Sequence, residues 1–292
     1  MSNATSNELD FDLFRPLRSR GALENPFAIY ALLRTVRPVM RLPVANYSGP
    51  GVWFLTRYAD VELALRDPRF SVERMRAPII RDNLERLPLP IQQSARGFRS
   101  MLIMDPPDHT RVRKLANKAF TPRRVAALRG QIEAIMTELL APLAPGASFD
   151  VIEALAAPLP AIVIAELLGV PVEDHKKFKT WATEIVAGIG NTTTDGASAA
   201  TPAFLQLLDY LRGIIAARRQ EPRDDLISAL VHAQEESDAL SDDELLATCN
   251  LLLLAGHETT TNLIGNGLLA LLREPDQLER LRTDMSLLPS AI

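Results

Sequence analysis

Cysteine is almost absent from this 292-residue sequence: the single one is Cys249, so no intrachain disulfide can form. A reducing, cytoplasmic compartment fits such a chain best. Aromatic residues contribute 5% of the chain and the net charge is −4, a balance that does not indicate a nucleic-acid partner. The N-terminus also lacks a basic segment followed by an apolar one, so we expect a flexible tail over residues 1–10 rather than a signal peptide.

A membrane-spanning segment is also missing from the sequence. The apolar run from Leu245 to Gly256 is too short to cross a bilayer, contains Asn250, and continues into His257 and Glu258. Hydrophobic residues still make up 47% of the chain, which is enough for a large buried core. Because no repeat and no domain linker interrupts the pattern, we expect a single domain over residues 11–292.

A small β-hairpin is predicted near the N-terminus of an otherwise mainly α-helical fold. Two strand-like runs, Val39 to Ala45 and Val52 to Tyr58, flank the turn sequence from Ser48 to Gly51. We also expect short helices over 26–36 and 59–66, and a long loop with helical fragments over 70–99.

Helical patterns dominate the rest of the chain, where apolar residues recur at helical spacing between proline and glycine breaks. The segment from Gly188 to Ala200, rich in Gly, Thr, Ser and Ala, is predicted to be a flexible connection. The predicted helices span residues 108–120, 122–143, 158–168, 172–188, 202–219, 224–235, 241–273 and 275–285.

The helix predicted from Ser241 to Arg273 is the central element of the chain. Ser241 and Glu244 have the spacing of a capping box, two aspartates follow Ser241, and Pro275 follows the last apolar turn. Because this helix is apolar on nearly every face, we expect it to be buried in a large core.

A polar segment, Ala255 to Thr261, interrupts this helix, and its glycine and threonines are poor helix formers. The hydroxyl of Thr259 can bond the carbonyl of Ala255, which predicts a local bulge. The alternative is an ordinary polar segment that faces solvent. The pair His257-Glu258 also begins like an H-E-x-x-H zinc helix, but Thr261 occupies the place of the second histidine, so we reject that interpretation.

A second informative stretch follows Asp105-Pro106-Pro107, which predicts an extended segment and then a helix start. On that helix His109 and Arg113 lie on one face, one turn apart, where both can bind a single anionic group. An ordinary solvated basic helix is the alternative. The roughly opposite face carries a small basic patch formed by Arg111, Lys114 and Lys118.

Both stretches resemble motifs of the bacterial soluble cytochrome P-450 family, the haem-thiolate monooxygenases. Ala255 to Thr260 matches the family's oxygen-activation motif, A/G-G-x-[DE]-T-[TS], and Asp105 to Arg113 matches its haem-propionate helix. The hairpin, the proline-broken loop and the order of helices also fit the family's pattern. The resemblance therefore implies a cytochrome P-450-like fold over nearly the whole chain.

The resemblance implies that the cofactor is haem b. His109 and Arg113 would bind its propionates, while Ala255 and Gly256 would leave room for the flat macrocycle. The basic patch would help to receive an acidic electron donor of the ferredoxin or flavodoxin type.

The same resemblance makes Glu258 and Thr259 the catalytic pair, which would deliver protons to dioxygen at the haem; Thr259 would also contact the cofactor. It implies a hydrophobic small-molecule substrate, and no nucleic-acid or membrane partner. Substrate contacts would come from the 70–99 loop, the region around 188–202, and apolar side chains such as Leu251 and Leu252.

After Ile292, family members continue into an E-x-x-R helix and a loop that carries the axial cysteine, so we expect the iron ligand beyond residue 292. Cys249 is not a substitute, because it lies in a leucine-rich run without a glycine loop and is predicted to be a core residue. Two functions follow: the N-terminal part of a monooxygenase, or a non-catalytic helical fragment that binds haem or a hydrophobic ligand.

Overall fold

The structure, a computed structural model, describes Gly21, residues 25–42 and 51–85, Leu89, Gln92, and residues 99–292 other than 145, 190–193, 236 and 237. The predicted tail over residues 1–10 lies outside this part of the chain. The chain divides into two compact units, Met1–Arg96 and Gly97–Ile292. The predicted catalytic and cofactor-binding residues all belong to the second unit, whereas most of the 70–99 loop belongs to the first.

The first unit contains the predicted hairpin. Strands β1 and β2 pair in antiparallel register, with Val39 opposite Leu55 and Leu42 opposite Val52, and most of the predicted turn falls on residues 43–50, outside the described part. The described elements are α1 (Phe27–Val36), β1 (Val39–Leu42), β2 (Val52–Leu55), α2 (Tyr58–Arg66), a 3₁₀ turn (Arg74–Arg76) and α3 (Pro78–Leu84).

The second unit is mainly helical, as the periodicity predicts. Its described elements are a 3₁₀ turn (Met101–Ile103), α4 (Asp108–Ala119), α5 (Pro122–Leu140), a π-helical turn (Ile152–Ala156), α6 (Pro158–Leu168), a 3₁₀ turn (Val172–Asp174), α7 (His175–Ile189), α8 (Thr194–Gln220), α9 (Leu226–Val231), β3 (Gln234–Glu235), β4 (Asp238–Ala239), α10 (Asp242–Arg273), α11 (Pro275–Thr283), a 3₁₀ turn (Met285–Leu287) and α12 (Leu288–Ala291).

Helix α10 is the central element of this unit. Both hydrogen bonds of the predicted capping box are present, from Glu244 N to Ser241 Oγ at 3.3 Å and from Ser241 N to Glu244 Oε2 at 2.9 Å. Its first half packs into an apolar core built with α4, α6, α7, α8 and α9. Its second half is open, since Leu263 is 55% exposed. No helix in the described ranges is long and apolar enough to cross a membrane.

Two predictions about the connections are wrong. The segment predicted as flexible, 188–200, is helical in its described parts, since α7 ends at Ile189 and α8 begins at Thr194. Alanines dominate the end of this segment, and their helix propensity extends α8 upstream of Pro202. Residues 190–193 lie outside the described part of the chain.

The helix predicted over 224–235 is also too long. Asp225 caps its start, and the helix tightens and ends after Val231, where the Ala233 N–H bonds the Leu230 carbonyl only three residues back, at 3.2 Å. The next residues form the short antiparallel pair of β3 and β4, with Gln234 opposite Ala239. Apolar periodicity does not detect a pairing of two residues.

Candidate functional site

The polar segment of α10 lies where the packed first half of the helix gives way to the open second half. Ala255, Glu258 and Thr259 are exposed, whereas Leu253 and His257, which point elsewhere around the helix, are buried. The candidate acid and alcohol therefore share an accessible surface beside a small residue.

The bond predicted for Thr259 is present, and a second threonine of this segment makes a similar one. Thr259 Oγ1 donates to the Ala255 carbonyl at 2.6 Å, and Thr261 Oγ1 donates to the His257 carbonyl at 2.9 Å. The predicted bulge does not form, because α10 stays α-helical through this segment. A carbonyl oxygen has two lone pairs, so it can accept the hydroxyl without losing its backbone N–H partner.

Gly256 packs against a neighbouring helix. A Cβ built on Gly256 would lie 2.6 Å from Ile164 Cδ1, on α6, and 3.4 Å from Ile164 Cγ1. The structure thus gives a packing reason for this glycine. The sequence suggested clearance for a cofactor, and that role of Gly256 stays a prediction.

Helix α4 presents the two predicted propionate ligands. Its buried face, formed by Val112, Leu115 and neighbouring alanines, fixes the helix in the core, while His109 is half-buried and Arg113 is exposed. No described residue forms an ion pair with Arg113. These two donors on one face fit an anionic group such as a pair of carboxylates.

Arg111 does not belong to an open basic patch. Its guanidinium donates to Glu244, at the start of α10, and to Asp238 Oδ1 at 3.3 Å, and its side chain is 32% exposed. The interpretation of Arg111 as part of a docking surface is therefore wrong. Helical spacing places a residue on a face, but it cannot show that a carboxylate 133 residues away occupies that face. Lys114 and Lys118 are exposed.

The residues present fit the edge and one face of a haem but not its iron. His109 and Arg113 offer donors for propionates, and the exposed face at Ala255 and Thr259 offers a small-residue surface with a hydroxyl. Cys249 is fully buried, and burial raises the pKa of its thiol to about 12, which opposes thiolate ligation. The described residues also contain no group of three or more His, Cys, Asp or Glu that could hold a metal ion.

Comparisons with known proteins agree with the motifs. Residues 79–288 match the sequence model of the family described as Cytochrome P450. The chain is 46% identical over 272 residues to Cytochrome P450 107B1 of Saccharopolyspora erythraea, covering 90% of this chain and 63% of that protein. It is 42% identical to Vitamin D(3) 25-hydroxylase of Pseudonocardia autotrophica, covering 100% of this chain and 68% of that protein.

A similar solved structure is that of Cytochrome P450 CYP109Q5 from Chondromyces apiculatus. It superposes with a TM-score of 0.78 at 35% identity, covering 94% of this chain and 65% of that one. The chain thus spans just under two-thirds of the length of several proteins that it matches.

Proposed function

The chain belongs to the cytochrome P450 family, and we propose that the full-length protein is a haem-thiolate monooxygenase acting on a hydrophobic small molecule. The observation that carries the proposal is the exposed Glu258–Thr259 pair, which directly follows the buried first half of helix α10. Among the relatives, one is named a vitamin D(3) 25-hydroxylase and another the monooxygenase PikC, both at about 40% identity, which supports an oxidative role.

In this proposal, a bound haem would supply the redox-active iron, and its thiolate ligand would come from a cysteine beyond residue 292. His109 and Arg113 would bind the propionates of the haem. Because Ala255 and Gly256 are small, they leave room for a flat group to approach the surface of α10.

Thr259 and Glu258 move protons. The bond to Ala255, 2.6 Å long, holds the Thr259 hydroxyl oxygen at the exposed face of α10. Because its hydrogen is donated to the Ala255 carbonyl, that oxygen can accept a hydrogen bond from a water molecule and hold it in place, and the exposed carboxyl of Glu258 can exchange protons between solvent and such a water. The pair therefore forms a short relay between bulk water and the reaction centre.

Electrons come from a ferredoxin-type or flavodoxin-type donor in this proposal. The exposed Lys114 and Lys118 of α4 suit an acidic partner. We further propose that the two compact units act together as one catalytic domain.

The test compares two threonines in the full-length protein. Thr259→Ala should lower product formed per electron consumed and raise hydrogen peroxide release, because the proton relay is lost. Thr261→Ala removes an equivalent hydroxyl-to-carbonyl bond from the same helix, 2.9 Å long, and should leave coupling close to wild type. Equal coupling in wild type and Thr259→Ala would contradict the relay.

A further inference from the structure

A group of five charged side chains joins the start of α4 to the start of α10. Arg111 is at its centre and donates to Glu244 and to Asp238. Arg99 Nη2 donates to Asp108 Oδ2 at 2.5 Å, and Arg99 Nε lies 4.0 Å from Glu244 Oε1. The carboxylate of Glu244 therefore links α4, which carries the proposed propionate ligands, to the start of α10, which carries the proposed proton relay.

Glu244 is the buried member of this group. Its side chain is 4% exposed, while that of Arg111 is 32% exposed. Burial alone would raise the pKa of Glu244, but the Ser241 backbone N–H and the Arg111 guanidinium outweigh it and lower the pKa. A buried carboxylate with its bonds already satisfied holds its partner firmly, since losing the partner would leave the charge unpaired.

The position of Arg111 on α4 couples this contact to the orientation of the two candidate ligands, His109 and Arg113. At about 100° per residue, Arg111 lies about 160° around the helix from both His109 and Arg113. The buried residues Val112 and Leu115, at 0% and 1% exposure, occupy the arc between Arg111 and His109. A rotation of α4 that released Arg111 would therefore turn His109 and Arg113 by the same angle.

We propose that the Arg111–Glu244 pair is a positioning contact of the haem site: it fixes the rotation of α4 against the start of α10 and so aims His109 and Arg113. This inference rests on the proposed function, since it needs a haem to receive the two donors. Neither Arg111 nor Glu244 touches the cofactor in this assignment.

The experiment measures haem release from the full-length protein to a haem-scavenging apoglobin. Glu244→Gln keeps the size of the side chain and an acceptor for the Ser241 N–H, but removes the charge that holds Arg111. We expect release to become about tenfold faster, the lower end of the loss expected when a supporting contact is removed from a ligand site. Arg111→Lys, which keeps the charge but not the forked geometry, should give a smaller increase.

A double-mutant cycle separates positioning from general loosening of the fold. If Glu244 acts through Arg113, then Glu244→Gln should add little to the release rate once Arg113→Gln is present. The matched control is Asp242→Asn, which breaks another ion pair at the start of α10, with Arg219 of α8. Its effect should be small, and it should be additive with Arg113→Gln.

The possible results separate failure of the positioning role from failure of the monooxygenase proposal. Additive effects of Glu244→Gln and Arg113→Gln would overturn the positioning role, even if the enzyme is active. Binding of haem without a thiolate-type spectrum would overturn the monooxygenase proposal, while the cycle would still test the positioning role. A full-length protein that binds no haem would overturn both.

Discussion

Gly256 is a residue whose size matters through its neighbour. Glycine costs about 1 kcal/mol relative to alanine in a helix interior, so its presence in α10 needs a compensating reason. The 2.6 Å approach that a Cβ would make to Ile164 Cδ1 supplies one. Because Cδ1 is the end of a flexible side chain, an added methyl group should force a rotamer change rather than a backbone shift.

We therefore expect Gly256→Ala to gain less stability than its helix propensity suggests. Gly213, in α8, has no atom within 4 Å of a built Cβ, so Gly213→Ala should gain up to about 1 kcal/mol in the free energy of unfolding. Gly256→Ala should fall clearly below that value, and Ile164→Val should recover part of the difference. Urea unfolding of the full-length variants measures this. Equal gains at the two glycines would contradict the packing role.

A second residue-scale contact is a buried ion pair beside a left-handed glycine. Arg218 Nε donates to Asp225 Oδ2 at 2.5 Å, with both side chains under 8% exposed, at 7% and 6%. Arg218 Nη2 also donates to the Gly169 carbonyl at 2.8 Å. Gly169 has φ +78°, and a Cβ there would lie 2.2 Å from Asp225 Oδ2. This position therefore excludes any side chain.

Asp225→Asn should destabilise the fold by about 3–5 kcal/mol, because it leaves the buried Arg218 charge without its partner. The cap of α9 should persist, because asparagine retains an oxygen that can accept the Ser228 N–H, which lies 2.7 Å from Asp225 Oδ1. The neighbouring substitution Asp224→Asn changes a fully exposed side chain and should leave the urea midpoint nearly unchanged. Similar midpoint losses for the two substitutions would show that burial of the pair is not what matters.

At the scale of elements, the start of α10 should make stability depend on pH. The pKa of Glu244 lies below its ordinary value of 4.5: burial opposes this shift, and the bonds from Ser241 and Arg111 produce it. A carboxyl with a lowered folded pKa contributes stability that is present above its unfolded pKa and is lost as the pH falls through its folded pKa.

From about pH 5 downwards, the wild-type free energy of unfolding should therefore fall more steeply than that of Glu244→Gln, because the unfolded carboxyl binds protons near its ordinary pKa of 4.5 before the folded one does. Asp243→Asn, which changes an exposed acid on the same helical turn, should retain the wild-type slope. Urea titrations across this range provide the slopes. Parallel curves for wild type and Glu244→Gln would contradict the role of the buried charge.

Helices bounded by capping residues, prolines or glycines could be predicted from the sequence. The helix from Pro158 to Leu168 was bounded by a proline and a glycine, and α10 by a capping box and Pro275, so their ends agree closely with the structure. The start of α8 and the pair of β3 and β4 could not be predicted in this way. In both cases the outcome depends on local alanine content or on backbone pairing, which apolar periodicity does not report.

The same distinction applies to the candidate site: patterns within one helix could be predicted, and contacts between helices could not. Helical spacing alone placed His109 with Arg113, and the motif placed Glu258 with Thr259. Neither helical spacing nor the motif could identify the partner of Arg111 or the neighbour of Gly256. These contacts, with Glu244 and Ile164, form only through the tertiary packing of separate helices. The capping box in the sequence identified Glu244 as a capping residue, but nothing in the sequence indicated its bond with Arg111.

At the scale of the whole molecule, the chain combines the proposed face of a haem site with a cysteine whose burial opposes ligation of iron. Cys249 is the only cysteine in the sequence. It is completely buried in the core shared by α6, α8 and α10, and its thiol has a pKa of about 12. Access for iron would require this core to open.

We therefore expect the 292-residue chain alone to give no thiolate-type Soret band in the reduced carbon-monoxide difference spectrum, whether or not it takes up haem. Under the proposed function, the full-length protein should give that band, because its ligand would come from the part of the protein beyond residue 292. Cys249→Ser should leave the spectra of both proteins unchanged. A thiolate-type band from the chain alone that disappears in Cys249→Ser would show that the core does open, and that the buried cysteine can serve as the ligand after all.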